Sequence, residues 1–345
     1  MSKSTVERPV DRPGQTIAGT LRRHGRHIMV NWIRELALLP VIVVLLVIGA
    51  FVNPAFLTTA NFINVAQESA ALGAVVVAET LILLTGKFDL SLQSTYGLAP
   101  MVGAWLIVGT DGQGLGTNWN PFFGIAIVLL IGLIVGAFNG FMVIKLGFNA
   151  FIFTLAMLIL LAGIQEGIVS GRTVYHLPDE FTYLGAQYLI GVPVSVWVTG
   201  AIFLLSALFL RYHRVGRAIY AIGGNTEAAR AAGIHVDRIR IGVFIVASLL
   251  AALAGLMTAG EVDAVTATQG NNLIFQVFAA AVIGGISLDG GRGRMVGALT
   301  GVILLALVQN ILILSQVQTF WIDAANGLII LIALGLARLI GTERA

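Results

Sequence analysis

Residues 213–240 read HRVGRAIYAIGGNTEAARAAGIHVDRIR, 28 positions too polar to rest in hydrocarbon. They hold five arginines, a Gly223-Gly224-Asn225 turn, and a helix-forming stretch from Glu227 to Ala232 closed by Gly233. The runs on either side are apolar enough to cross a bilayer. A helix this short is marginal by itself, so it is expected to dock against something. The segment reads as a structured basic loop that a greasy chain presents to a partner.

Composition sets the class. Of 345 residues, 57% are hydrophobic and 11% charged, against about 25% charged in a soluble domain. Spanning segments must satisfy their own backbone groups, and no alternating strand pattern occurs, so the expected fold class is an all-α polytopic membrane protein. The chain has no cysteine, which excludes disulfides, Cys-ligated metal and thiol nucleophiles. The net charge of +3 is explained by the positive-inside rule rather than by nucleic acid. Seven Lys and Arg precede the first apolar run, which begins at Leu36 with no small-residue cleavage site after it. Residues 1–34 are read as a retained cytosolic basic tail, and residues 35–345 as one transmembrane domain.

Apolar runs suited to a hydrocarbon core of about 30 Å fall near 35–52, 65–85, 92–110, 122–144, 148–170, 194–211, 241–260, 273–286, 295–314 and 320–338. Ten spans place both termini on one side. That side receives nineteen of the twenty Lys and Arg, and the other only Arg172, so the tail and the 213–240 loop are expected in the cytosol. The outward connections are 53–61, 111–121, 171–193, 261–272 and 315–319, which carry Asp111, Asp179, Glu180, Glu261 and Asp263. The longest, 171–193, is either a solvated connector or a contact for an external partner.

Gly132, Gly136 and Gly140 lie four apart, as do Gly293, Gly297 and Gly301; such stripes let helices pack closely. Two apolar runs break at glycine and then a carboxylate, at Gly86-Lys87-Phe88-Asp89-Leu90-Ser91 and at Gly284 to Gly291. Paired breaks mark either a duplicated architecture with a central site or ordinary polar turns. Polar residues inside the spans include Asn64, Gln67, Glu68, Glu79, Asn139, Thr154, Gln165, Glu166, Gln276, Gln309, Asn310, Asp323 and Asn326. Each either glues helices together or lines a pathway. No proton-relay pattern, H-E-x-x-H, G-x-S-x-G or metal cluster occurs, so no catalytic or metal-binding residue is expected and the chain is not read as an enzyme.

From about Phe56 to Leu339 the chain resembles the permease subunits of bacterial ATP-binding-cassette (ABC) sugar importers of the ribose/xylose/galactose type, a superfamily shared with branched-chain amino-acid permeases. The motifs that carry the resemblance run in order: Asn61-Phe62-Ile63-Asn64-Val65-Ala66-Gln67; Thr85-Gly86-Lys87-Phe88-Asp89-Leu90-Ser91-Leu92; Asn139-Gly140 with Phe151-Ile152-Phe153-Thr154-Leu155; Gly216 to Asn225 with Ala228-Ala229 and Gly233-Ile234; and Gly284 to Gly293. The chain departs from the family pattern at Lys87 and Gln93, where glycine is usual, and at Glu79, where Gln or an apolar residue is usual. It departs again at Ile274 to Ala279, which lacks the usual acids.

The resemblance implies a type II ABC importer-like permease in the bacterial inner membrane, with broken or re-entrant segments. It also implies a second permease chain (homo- or heterodimer), an ABC ATPase pair that binds ATP and Mg, and an extracytoplasmic sugar-binding protein. No cofactor is expected in this chain, which has no G-x-x-x-x-G-K-[ST] loop, and no nucleic acid among its partners. The coupling residues it implies are Gly223, Gly224, Asn225, Glu227, Ala228, Ala229 and Gly233. Substrate-pathway candidates are Asn64, Gln67, Glu79, Lys87, Asp89, Ser91, Asn139, Thr154 and Asn310. The substrate expected is a monosaccharide; the alternatives are branched-chain amino acids or nucleosides, or a stand-alone secondary transporter. Glu79 and Lys87 have two readings: an ion pair lining the pathway, or a snorkelling lysine and a separate acid.

Overall fold

The computed structural model describes residues 38–318, 320–322, 324–329, 331 and 335; the basic tail, Asp323 and part of the tenth expected span lie outside these. Twelve α-helices carry the described fold: α1 Leu39–Val52, α2 Thr59–Leu84, α3 Leu92–Ile107, α4 Pro121–Ile144, α5 Ala150–Ile168, α6 Asp179–Ala186, α7 Val194–Tyr212, α8 Arg214–Gly224, α9 Thr226–Ala231, α10 Val236–Val262, α11 Leu273–Ile283 and α12 Met295–Leu314. Five of their starts carry side-chain caps. The Thr58 hydroxyl accepts from the Asn61 amide at 3.3 Å, Asn120 from Phe122 at 2.9 Å, and Asn149 from Ile152 at 3.1 Å. Each satisfies an amide that the helix itself leaves open.

Nine of the ten expected spans coincide with helices, and six of those are long and apolar enough to cross a membrane. The helices α1, α3 and α11 have 14, 16 and 11 residues, or about 21, 24 and 17 Å at 1.5 Å per residue. The candidate runs at 92–110 and 273–286 thus hold shorter helices beside the two glycine breaks. The helix α3 is prolonged at its start by the break after Gly86, and α11 at its end by the break after Gly284.

The helix α2 forms the axis of the bundle. From Ala70 to Leu84 every residue is buried, because small alanines and Gly73 admit close neighbours all round. It packs against α7, α8, α10, α11 and α12. The most apolar windows of α5 and α7 are only 22% buried, against 83% for α2, so their surfaces are left for lipid or another chain. The stripe on α4 is a packing device as expected: a Cβ on Gly136 would stand 2.6 Å from the Phe244 carbonyl oxygen of α10. The second stripe also packs closely. Gly297 and Gly301 face Gly284 and Ala280, but Gly293 precedes the helix with φ +134°.

The two ends of the bundle differ in charge. One end carries the 3₁₀ turn Thr110–Gly112, α6, the hairpin of β2 Tyr188–Leu189 with β3 Val192–Pro193, and the ladder of β1 Val174–Tyr175 with β4 Ala264–Val265. Connection 171–193 is thus structured. Arg172 is at this end, donating to Gln113 Oε1 at 2.7 Å. Glu261, expected in a loop, belongs to the last turn of the 27-residue α10. Lys87, Lys145, the arginines of 211–240, Arg292 and Arg294 stand at the opposite, basic end.

Candidate functional site

The basic loop is more ordered than its sequence suggests. Residues 214–224 form α8, whose Gly216, Ile219 and Ile222 share a buried face, so Gly223 and Gly224 close a helix rather than making a turn. Asn225 stands between α8 and α9, and its Oδ1 accepts from the Ala228 amide at 2.9 Å. The helix after it is Thr226–Ala231, one residue earlier than expected, with Gly233 beyond it at φ +80°. Ala229 packs on Ile222 and Val236. Glu227, Ala228 and Gly224 remain exposed.

Three glycine segments meet under this loop. The Gly291 amide donates to the Leu84 carbonyl at the end of α2, 3.0 Å away. A Cβ on Gly223 would stand 2.0 Å from that same carbonyl oxygen and 2.3 Å from the Gly291 nitrogen. One on Gly290 would stand 2.8 Å from the Gly86 Cα. The two breaks therefore touch each other, and α8 rests on both. Arg240 of α10 locks the junction, its guanidinium donating to the Thr85 carbonyl at 2.9 Å and to the Thr226 hydroxyl at 3.0 Å. The Tyr220 hydroxyl donates to the Gly293 carbonyl at 2.9 Å. The segment from α8 to α9 thus touches α2, α10 and the second break through both backbone and side-chain contacts.

Deeper along the first break, four expected pathway residues form one enclosed knot. Asp89 Oδ1 accepts from the Ser91 amide at 2.9 Å and from its hydroxyl at 2.5 Å. Asn139 Nδ2 reaches Ser91 Oγ at 2.6 Å and Asp89 Oδ2 at 3.4 Å. Thr154 Oγ1 accepts from the Leu90 amide at 3.0 Å. All four side chains are buried. The knot ties the break to α4 and α5 and supplies partners to backbone that no helix satisfies.

The remaining candidates scatter. Asn310 exchanges amide hydrogen bonds with Asn61 at 2.9 and 3.0 Å. Gln67 donates to the Gly185 carbonyl at 3.0 Å and accepts from the Tyr188 hydroxyl at 3.1 Å. Asn64 is exposed on α2. The Glu79–Lys87 ion pair is not formed: both Glu79 oxygens are buried without a hydrogen-bond partner among the described residues, where Lys87 likewise makes no salt bridge. Glu79 lies inside the buried stretch of α2, while Lys87 follows the Gly86 turn beyond its end.

None of these lines the cleft that opens between α2, α3, α11 and α12. Its volume is about 110 Å³, and its walls include Glu68, Ser69, Tyr96, Gln276 and Gln309. Glu68, Gln276 and Gln309 are visible in sequence as polar residues inside spans, but not as members of one wall. Their side chains make no hydrogen bond to described residues. Among the described residues no group of His, Asp and Glu stands together to hold a metal.

Comparison with known proteins agrees with this arrangement. The family model described as branched-chain amino acid transport system / permease component matches residues 61–334. Ribose import permease protein RbsC of Escherichia coli K12 is 34% identical over 323 residues, covering 92% of this chain and 97% of the relative. Probable ABC transporter permease protein y4mJ of Sinorhizobium fredii is 32% identical, covering 97% of this chain and 98% of the relative. Autoinducer 2 import system permease protein LsrC of Escherichia coli is 31% identical, covering 87% and 86%. No solved structure gives a significant match. Permeases of this class are multi-pass inner-membrane subunits that work with a separate ATPase and a substrate-binding protein, and are not themselves enzymes. With that match across most of its length, the chain belongs to the branched-chain amino acid transport system permease family, as the membrane subunit of an ABC importer.

Proposed function

We propose that this permease conducts a monosaccharide through a pathway completed by a second permease chain. The observation that carries the reading is the wall of Glu68, Gln276 and Gln309, a carboxyl and two amides without hydrogen-bond partners among the described residues. A hydroxyl-rich solute exchanges hydrogen bonds with such a wall. An aliphatic amino-acid side chain would leave its groups unpaired, at about 1–3 kcal/mol each. The relatives whose names specify ribose and autoinducer 2 support the same direction. A cleft of 110 Å³ is far below the roughly 300–1,000 Å³ of a complete ligand chamber, which is why a second chain is invoked.

The basic end faces the cytosol, with both termini on that side. There α9 rests in a groove of the ATPase, which holds ATP and Mg, while the binding protein docks on the opposite end. Exposed Glu227 and Ala228 meet the ATPase, Ala229 anchors the helix from beneath, and the Gly223-Gly224-Asn225 junction and Gly233 fix its angle. Closure of the ATPases pushes α9, and the junction carries the push to α2 and α10.

Reconstitution of the permease with its ATPase and binding protein tests this, using monosaccharides, branched-chain amino acids and nucleosides as stimulants of ATP hydrolysis and uptake. Monosaccharides are expected to stimulate both. Stimulation by amino acids or nucleosides alone would overturn the substrate assignment. Because the chain has no cysteine, Asn225→Cys also reports orientation, and labelling by an impermeant reagent from outside intact cells would reverse the assignment.

A further inference from the structure

A second cleft lies beside the coupling loop and belongs to neither the cleft between α2, α3, α11 and α12 nor the glycine junction. Its volume is about 360 Å³ and its walls include Lys145, Arg230, His235, Asp237 and Arg238. Asp237 is its one carboxylate, and that group is already engaged. Lys145 Nζ stands 3.2 Å from one of its oxygens and Arg230 stands 2.6 Å from the other. The charges in the wall therefore do not cancel: three permanent cations face one anion. Arg238 and His235 are exposed, and neither side chain has a hydrogen bond or ion pair among the described residues. A cavity so lined is built for an anion.

Its position narrows the choice of anion. Lys145 closes the 24-residue α4, which is a candidate span, so the cleft opens where that helix leaves the hydrocarbon. Four of the next seven residues are apolar and exposed: Leu146 is 57% exposed, Phe148 51%, Phe151 52% and Ile152 67%. A soluble anion would use the cations and leave this strip bare. A ligand with a phosphate at one end and acyl chains at the other uses both.

We propose that this cleft is a binding site for an anionic phospholipid such as phosphatidylglycerol. Arg238, His235 and Lys145 receive the phosphate, and the acyl chains lie over Phe148, Phe151 and Ile152. Basic clefts at the membrane surface recognise headgroups in this way. The site does not depend on the substrate assignment. Because Arg230 belongs to α9 and Asp237 to α10, a lipid seated here braces the coupling helix against the bundle.

The test uses the full-length chain, delipidated in a neutral detergent. Native mass spectrometry and thermal midpoints are measured with phosphatidylglycerol, with phosphatidylcholine and with inorganic phosphate. Phosphatidylglycerol is expected to remain bound and to raise the midpoint, and the other two are not. The double variant Arg238→Ala/His235→Ala should lose at least fivefold in phosphatidylglycerol retention, with an unchanged lipid-free midpoint, since neither side chain has a partner to lose. Arg292→Ala removes the same permanent charge from the basic end but outside this cleft, and should retain the lipid. Equal retention of the two lipids, or a shift reproduced by phosphate alone, would overturn the proposal. So would an equal loss in Arg292→Ala, which marks nonspecific attraction, or undiminished retention in the double variant.

Discussion

The glycine junction at the basic end and the small cleft in the other half of the bundle treat their polar groups in opposite ways. At the junction Arg240 bonds Thr85 and Thr226 through one guanidinium nitrogen while its buried Nε has no partner among the described residues, Tyr220 bonds Gly293, Gly291 bonds Leu84, and bare backbones touch where side chains would otherwise stand. In the cleft Glu68, Gln276 and Gln309 are left open. A junction without slack transmits displacement, because packed interfaces shift between discrete arrangements rather than deforming smoothly. A wall of unspent donors and acceptors accepts a transient occupant and releases it. The largest mutational effects should therefore come from the junction, which no solute need touch.

The sharpest test is Gly223→Val. Its Cβ would meet the Leu84 carbonyl oxygen at 2.0 Å and the Gly291 nitrogen at 2.3 Å, both backbone atoms that cannot swing aside. Uptake is expected to fall at least about tenfold while the chain remains in the membrane, since such overpacking costs roughly 1–3 kcal/mol or more. Gly224→Ala is the matched control: no atom lies within 4 Å of its added carbon. Uptake and membrane abundance measured for both decide the matter. Equal behaviour of the two would remove the junction from the mechanism.

Arg240→Met comes next. It removes the donor shared by the Thr85 carbonyl and the Thr226 hydroxyl, and hydrogen bonds to a charged group contribute about 1.5–3 kcal/mol. The expected result is a lower thermal midpoint together with weaker coupling, read as ATP hydrolysis per solute moved. Arg240→Lys should restore part of both. A lowered midpoint with normal coupling would reduce Arg240 to a structural tie.

On the other side of the comparison, Gln276→Ala and Gln309→Ala should leave the thermal midpoint within about 0.5 kcal/mol of the parent, as expected where no internal partner is lost. Maximal uptake should fall roughly two- to tenfold, equivalent to one hydrogen bond of about 0.5–1.5 kcal/mol. Loss of stability in either variant would mean that these amides are packing groups after all.

The contrast also explains what the sequence made legible. Charge made the 213–240 loop, the alternation of ends and the capped helix after Asn225 visible, because charged residues have few places to go in a membrane protein. The helix α8 escaped notice because its buried face consists of only Gly216, Ile219 and Ile222, and because Gly223-Gly224 looks like a turn. Those glycines are there for Leu84 and Gly291, which are more than a hundred and nearly seventy positions away. The cleft was hidden for a different reason. Glu68, Gln276 and Gln309 sit in three helices, and a polar residue in a span carries no mark of whether it faces a neighbour or a space. Asp89, Ser91, Asn139 and Thr154 were conspicuous for the converse reason: they repair a broken helix, and their motif is the repair.

The smallest effect is expected from Glu79 and Lys87, whose opposite charges suggest a bond that the folded chain does not make. Glu79 is enclosed with both oxygens unpaired, so Glu79→Gln removes no native hydrogen bond and exchanges an acid for an amide of nearly the same shape. Its thermal midpoint should stay level or rise slightly, because an unpartnered ionisable group in the interior is a cost rather than a support. Lys87 is half-buried beyond the Gly86 turn and has no ion-pair partner among the described residues. Lys87→Gly should change uptake by less than about twofold, since substitutions that break no packed or bonded feature usually fall within 0.5 kcal/mol. Combined, the two changes should add to within about 0.3–0.5 kcal/mol, as sites without a shared partner do. A coupling energy above about 1 kcal/mol in the double-mutant cycle would show that the two charges meet in another state of the transport cycle, and would bring Glu79 back to the pathway.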